Sequence, residues 1–230
     1  MITRTLSLLL LLWAQPSNAQ DRVIGLLTLP EVFGNEACDH FVAQSISLHL
    51  EPNGPSIGTI EVDQHWSFAP HGGCEGLEVR VHRGDARVEL PTREHAYEAP
   101  AAIVLAQQGR WFKIRLADGA AWVNATPRDD FKPLSALFDQ SLTATTEHFT
   151  GRLRSEPGGA FIGKSFTGEH SVKVLEVRSV GDRQWLHVEV FDYSACTVPV
   201  GKEPRPIARG WLLAHAENGE PTVWFFSRGC

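Results

Sequence analysis

Chemistry-bearing side chains gather once in this chain, around His71-Gly72-Gly73-Cys74, with His65 before and His82 after. A thiol this close to an imidazole invites comparison with a Cys–His nucleophile. Such a nucleophile needs its thiolate stabilised, usually at a helix N-terminus, with the base oriented from a separate element. Here Cys74-Glu75-Gly76 has no helix-forming run behind it. It leads straight into Leu77, Val79 and Val81 alternating with Glu78, Arg80 and His82, the pattern of a half-buried strand. A metal site would need two or three ligands converging on one face. His82 falls on the polar side of its strand, and nothing in the spacing of His65 and His71 makes them converge, so neither metal nor cofactor is expected. No pair of carboxylates is marked by its surroundings for glycoside hydrolysis. The expectation is a non-catalytic protein.

Flat aromatic faces are the other candidate. Trp66, Trp111, Trp122, Trp185, Trp211 and Trp224 have the ring area to stack on a sugar or peptide. Trp111, Trp122, Trp185 and Trp211 recur at the openings of successive alternating runs, which assigns them to a packed core. Trp66 and the run Trp224-Phe225-Phe226 are not tied to that recurrence. Three consecutive aromatics on a strand point to both faces, so at least one needs a partner beyond its own unit. A neighbouring unit and a bound ligand both satisfy that requirement. Trp66, Trp224 and Phe226 are therefore the candidate ligand contacts.

The start of the chain reads as an export address. Arg4 supplies a positive n-region, residues 6–13 a short apolar core, and Ser17-Asn18-Ala19 a small-x-small cleavage pattern. Residues 1–19 are expected to be removed, leaving a periplasmic or secreted protein. The apolar run falls short of the roughly 20 residues a spanning helix needs, and no membrane insertion is expected. Export bears on Cys38, Cys74, Cys196 and Cys230, an even number split into an early and a late pair. In an oxidising compartment two disulfides follow, most simply Cys38–Cys74 and Cys196–Cys230, although four cysteines allow three connectivities. None of them has C-x-x-C spacing. Acidic residues outnumber basic ones, 27 Asp and Glu against 21 Lys and Arg, and the basic residues are scattered. This excludes the clustered basic face that nucleic acid requires.

The elements that position these residues are mostly strands. Alternating or apolar runs occur at residues 46–50, 57–62, 77–82, 102–105, 111–116, 121–123, 172–177, 185–191 and 223–226. Turn residues punctuate them, most densely at Glu51-Pro52-Asn53-Gly54-Pro55. One interruption is helical: Leu134, Leu137 and Phe138 fall at i, i+3 and i+4, behind Pro133 and a possible cap at Asp129-Asp130. Short strands at this spacing argue for an all-β protein of barrels or sandwiches.

Overlaying the segments gives three weakly similar units, opening near Ile46, Tyr97 and Gly151. Two carry paired tryptophans: Gly109-Arg110-Trp111-Phe112-Lys113-Ile114 with Asp118-Gly119 and Trp122-Val123, and Trp185-Leu186-His187-Val188 with Gly210-Trp211-Leu212. On these residues the chain resembles the bacterial SH3-like (SH3b) family, in which G-x-W-y-x-V, a turn and G-W-V mark the central strands of a small barrel. Ala121 stands where the pattern has Gly, and residues 192–209 form a long insertion between the tryptophans of the last unit. The resemblance implies tandem small SH3-like β-barrels with one short connecting helix: a degenerate unit at 20–90, a unit with the helical connector at 91–148, and a unit with the insertion at 149–230. It also implies an exported binding module for cell-wall peptide or glycan, or for an envelope protein. A structural or assembly subunit of an envelope complex is the alternative. A cell-wall hydrolase using Cys74 and His71 stands behind both.

Overall fold

The computed structural model describes residues 21–29, 45–63, 78–96, 99–126, 130–139, 142–193, 202 and 204–228. Cys38, Cys74, Cys196, Cys230, Trp66, His65 and His71 lie outside the described residues, and so does the expected leader. The described chain is all-β with one short helix. Ten strands come first: β1 (Gly25–Leu27), β2 (Ile46–His49), β3 (Ser56–Asp63), β4 (Glu78–Arg83), β5 (Ala86–Val88), β6 (Thr92–Ala96), β7 (Ala99–Gln108), β8 (Trp111–Leu116), β9 (Gly119–Asn124) and β10 (Phe131–Pro133). Helix α1 (Leu134–Phe138) follows. Seven more strands complete the chain: β11 (Thr143–Thr145), β12 (Leu153–Arg154), β13 (Phe161–Ile162), β14 (Ser171–Val180), β15 (Arg183–Phe191), β16 (Pro206–Leu213) and β17 (Val223–Phe225).

They form two antiparallel sheets. The first runs β10-β1-β7-β8-β9-β2-β3-β4-β5, with β6 also paired to β7; the second runs β17-β11-β14-β15-β16-β12-β13. Among the described residues neither sheet closes on itself. The expected boundary at residue 90 falls inside the first sheet, where β1 pairs with both β7 and β10. The stretch 149–230 supplies every strand of the second sheet except β11.

The two sheets repeat one order. Substituting β11, β12 and β13 for β1, β2 and β3, and β14 to β17 for β7 to β10, converts the first path from β10 to β3 into the second; β4, β5 and β6 have no counterpart among the described strands. Register agrees as well. Trp122 lies opposite Lys113 and His49, and Trp211 opposite His187 and Arg154. An irregularity interrupts β7 between Val104 and Ala106, and β14 carries one between Val174 and Glu176. These are the same position once Ile114 and Val188, their partners, are matched.

Two hydrophobic clusters fill the interior, and β1 and β7 contribute to both. Leu27, Ala102 and Val104 join Leu48, Ile60, Val81, Phe112 and Ile114 in one cluster. Leu26, Ala101, Ile103 and Leu105 point the other way and join Leu153, Leu186, Val188, Leu212 and Phe225 in the second. Successive residues of a strand face opposite sides, so the unbroken apolar run of β7 requires apolar cover on both. Helix α1 supplies part of that cover through buried Leu134, Leu137 and Phe138. Pro133 occupies its N-cap position without a side-chain cap, while Asp130 sits before β10 and is hydrogen-bonded to Thr28 instead of capping the helix.

Residues 21–23 lock the sheets together. The Val23 amide donates to the Gly219 carbonyl at 3.3 Å, and His215 Nε2 donates to the Val23 carbonyl at 2.6 Å. Lys113 pairs with Asp21 at 2.7 Å, Arg115 pairs with Glu220 at 2.6 Å, and Arg22 binds Asp182. Gly219 has φ +81°, and a Cβ there would be driven onto the Asp21 carbonyl oxygen. Gly158 shares the positive φ, +73°, but faces open space. We therefore expect Gly158→Ala to destabilise by about 1 kcal/mol, backbone strain alone. Gly219→Ala should lose about 2–4 kcal/mol, because the junction must open as well. Urea midpoints of the two variants check this.

Burial holds the His215 imidazole below its usual range. The Arg22 cation acts in the same direction, and the hydrogen bond to Val23 and the Glu220 carboxylate oppose them. The folded state thus favours the neutral ring, whereas the unfolded chain binds a proton near pH ~6.5. Stability from this site is complete above that pH and falls as the pH drops through the lowered folded value. Burial also depresses His95 and His187, so acid should weaken the fold generally. His215→Gln keeps a donor for Val23 but does not titrate. Its loss of stability between about pH 7.5 and about pH 5, measured by urea denaturation, should be smaller than that of the parent.

Candidate functional site

The last strand builds the most developed concavity. β17 pairs only with β11 among the described strands, with Thr143 opposite Phe225 and Ala144 opposite Trp224. Alternation sends Val223 and Phe225 into the second core and leaves Trp224 and Phe226 half-buried on the opposite face. The Phe226 amide donates to the Leu142 carbonyl at 2.8 Å, which keeps the chain extended past the end of β17. Thr146 fastens the other side: its amide donates to the Thr222 carbonyl at 3.0 Å and its hydroxyl to the Pro221 carbonyl at 2.7 Å.

The segment leaving β11 turns back to β14 and forms the walls. The Phe149 amide donates to Thr146 and the Phe166 amide to Gly151, at 3.1 and 2.7 Å. Thr145 and His170 close the base: the Thr145 amide donates to the His170 carbonyl at 2.9 Å, and the His170 amide to Thr145 Oγ1 at 3.0 Å. The result is a groove of about 510 Å³ floored and walled by Phe149, Phe166, Trp224, Phe225 and Phe226. Its size is that of a small-ligand site, for which roughly 300–1,000 Å³ is usual. Among the described residues its charged lining residues are Glu147 and Glu169, both exposed, and Glu147 lies 3.4 Å from His148 Nε2. The Thr146 hydroxyl donates to the Pro221 carbonyl, and Thr145 Oγ1 accepts from the His170 amide.

The first sheet supplies the back of this site. The Arg93 guanidinium, from β6, lies 5.8 Å over the Trp224 ring. It belongs to a second, smaller hollow of about 120 Å³, bounded also by the Arg115–Glu220 ion pair, His148 and the other side of Trp224. Neighbouring Glu94 accepts from Ser227 Oγ at 3.1 Å and from Arg228 Nε at 2.7 Å, tying β6 to the chain just after the aromatic run. The hydrogen bond from Arg228 pulls the Glu94 carboxyl below its ordinary range.

Of the candidate ligand contacts, Trp224 and Phe226 come together in the groove, and Trp66 lies outside the described residues. Of the four tryptophans expected in a core, Trp185 and Trp211 are among the buried core residues, whereas Trp111 and Trp122 are only half-buried; none of the four is a member of either cluster. Trp111 alternates with Phe112 and Trp185 with Leu186, and it is Phe112 and Leu186 that join the clusters. Trp111 and Trp122 are half-buried, with Trp111 edge-on to His49 at 5.0 Å. Trp185 and Trp211 are buried, Trp211 beneath His187 stacked at 4.8 Å and the Arg178 guanidinium at 4.6 Å. His82 faces Glu61 at 3.7 Å. Among the described residues no three His, Cys, Asp or Glu side chains converge as a metal-ligand set, and no helix is long and apolar enough to cross a membrane.

Arg93, Glu147, Phe149, Phe166 and Glu169 were not marked by any sequence motif. Phe149 and Phe166 stand outside every alternating run, in turn-rich chain, and that placement was the one available sign. No protein-family model, curated protein or solved structure matches this chain. Its function must be argued from its own residues.

Proposed function

We propose that this chain is an exported, non-catalytic binding protein built from SH3-like units, which captures cell-wall peptide or glycan, or an envelope protein, in the groove beside Trp224. The observation that carries the reading is the half-buried aromatic pair Trp224 and Phe226, which lines the groove while Trp224 also packs against the second cluster. Aromatic faces give large contact area at low entropic cost. The repeated strand order and the matched positions of Trp122 and Trp211 support SH3-like units. On this reading the units are two, β1–β3 with β7–β10 and β11–β17, and β4, β5 and β6 are additions to the first. The leader-like residues 1–19 and the four cysteines favour an exported chain carrying two disulfides, Cys38–Cys74 and Cys196–Cys230.

One feature favours the assembly-subunit alternative. Phe161, 44% exposed, lies beneath the guanidiniums of Arg154 and Arg152 at 3.9 and 4.4 Å. Exposed aromatic and arginine residues of this kind are enriched at protein interfaces. Crosslinking in the native envelope that yields one dominant protein adduct, lost in Phe161→Ala, would move the conclusion there.

The mature oxidised protein, mixed with purified peptidoglycan and centrifuged, should be found in the pellet without release of soluble fragments. Trp224→Ala and Phe226→Ala should each lower the retained fraction by about fivefold or more, the scale of a lost aromatic anchor. Their melting temperatures, measured alongside, show whether the fold is kept. Parent protein left in the supernatant would overturn wall binding. Fragments that disappear in Glu147→Gln or Glu169→Gln would replace binding with hydrolysis.

A further inference from the structure

Strand β13 is an edge of the second sheet. Among the described strands it pairs only with β12, with Leu153 opposite Ile162 and Arg154 opposite Phe161. The Ser155 amide donates to the Ala160 carbonyl at 3.0 Å. Hydrogen-bonded and non-hydrogen-bonded pairs alternate along an antiparallel ladder, which makes Arg154 and Phe161 a non-hydrogen-bonded pair. Their side chains are therefore close, and the amide and carbonyl of Phe161 point away from β12, toward the open edge. Backbone groups so directed are a template for a further strand.

Charge gathers at the same place. The Arg154 and Arg152 guanidiniums lie 3.9 and 4.4 Å over the Phe161 ring, which is 44% exposed. Arg154 Nη1 donates to the Gly159 carbonyl at 2.6 Å. A guanidinium carries five donors in one plane, so a ring contact and one such bond still leave it able to hold a carboxylate. Two guanidiniums drawn to one ring also repel each other, and an anion between them relieves that repulsion. From Gly151 to Gly168 the chain carries Arg152, Arg154 and Lys164 against one carboxylate, Glu156, whereas the whole chain has a net charge of -6.

We propose that the β13 edge docks an extended, acidic segment of a partner protein, which adds a strand beside Phe161 and sets a carboxylate against Arg152 and Arg154. In this mode main-chain hydrogen bonds hold the segment and side-chain contacts select it. A glycan, even an anionic one, has no amide ladder to offer that edge. This docking rests on the interface reading of Phe161 and not on the groove beside Trp224.

The test uses the full mature chain and four probes. These are the acetylated and amidated pentapeptide Thr-Val-Glu-Val-Thr, its glutamine counterpart, the glutamate peptide methylated on its three central amides, and tetragalacturonate. Binding is followed through the Phe161 backbone amide in a nitrogen-15 correlation spectrum, assigned with Phe161→Tyr. The glutamate peptide should move this signal and slow its exchange with solvent. It should bind about fivefold more tightly than the glutamine peptide, the scale of a charge-assisted contact at an exposed site. Arg152→Glu, at an exposed position, should remove that preference without lowering the melting temperature, and Trp224→Ala should leave it intact. Equal binding of the glutamate and glutamine peptides would overturn the proposal, as would a preference that survives Arg152→Glu. Undiminished binding of the methylated peptide would overturn strand addition. Tetragalacturonate binding as tightly as the glutamate peptide would replace the protein partner with an anionic glycan. If any of these occurs while Phe161→Ala still abolishes a dominant crosslink in the native envelope, the interface stands and only the acidic strand falls. A crosslink kept in Phe161→Ala would remove the interface itself.

Discussion

The arrangement depends on two strands, β1 and β7, that are buried on both faces. Leu26 and Leu27 are neighbours in sequence and sit in different hydrophobic clusters, at 1% and 0% exposure. Ala101 to Leu105 divide in the same alternating way. Most antiparallel sheets keep one wet face, and a strand with none must be covered from both sides. Here the second sheet and α1 provide the second cover. The two units are therefore not beads on a string. Each fully buried leucine or valine on this shared wall contributes roughly 1.5–3 kcal/mol relative to exposure, and the outer halves of that contribution exist only when the sheets are together.

The shared wall also explains why the groove sits where it does. Docking the second sheet on β7 brings β6 beside the end of β17, where Glu94 takes hold of Ser227 and Arg228. That clamp follows immediately after Trp224-Phe225-Phe226 in the chain. Phe225 is drawn into the core, so its two neighbours are turned outward, and Arg93 covers the back of the Trp224 ring. One ring face is thereby held by the first sheet while the side toward Phe149 and Phe166 remains open as a groove. The requirement that an aromatic triplet find a partner outside its own unit is met twice, by a neighbouring strand on one side and by a concavity on the other.

Much of this could be read from the residues. Alternation located nearly every long strand, and i, i+3, i+4 spacing located α1 at Leu134, Leu137 and Phe138. The paired tryptophans marked equivalent places in two units, and Trp122 and Trp211 do occupy one register. What they do there was less accessible: a Trp on a half-buried strand is apolar enough for either face, and its neighbours Phe112 and Leu186 decide the matter by joining the clusters themselves. The membership of β1 was hidden for a different reason. Gly25-Leu26-Leu27 is too short to show a period, and its partners Ala102 to Val104 and Phe131 to Pro133 lie far along the chain. Of the loop walls, Phe149 is placed by a local turn to Thr146 and Phe166 by a hydrogen bond reaching back to Gly151, and neither belongs to an alternating run that would mark it.

The repeated strand order raises the question of what stands in the first unit where Trp224 stands in the second. Register supplies the answer. Leu27 and Thr143 occupy equivalent positions, opposite Phe131 and Phe225 respectively. One step along, where the second unit sets Trp224 across from Ala144, the first has Asp130 across from Thr28. These two exchange hydrogen bonds, the Thr28 amide donating to the Asp130 carbonyl at 3.0 Å and the Asp130 amide to Thr28 Oγ1 at 2.9 Å. A small polar pair closes the edge with its own hydrogen bonds and projects no ring. The second unit instead places an indole above an alanine, a combination that leaves a large apolar surface with too small a partner beneath it. That indole packs in part against the second hydrophobic cluster. Arg93, from the first sheet, covers another part of it.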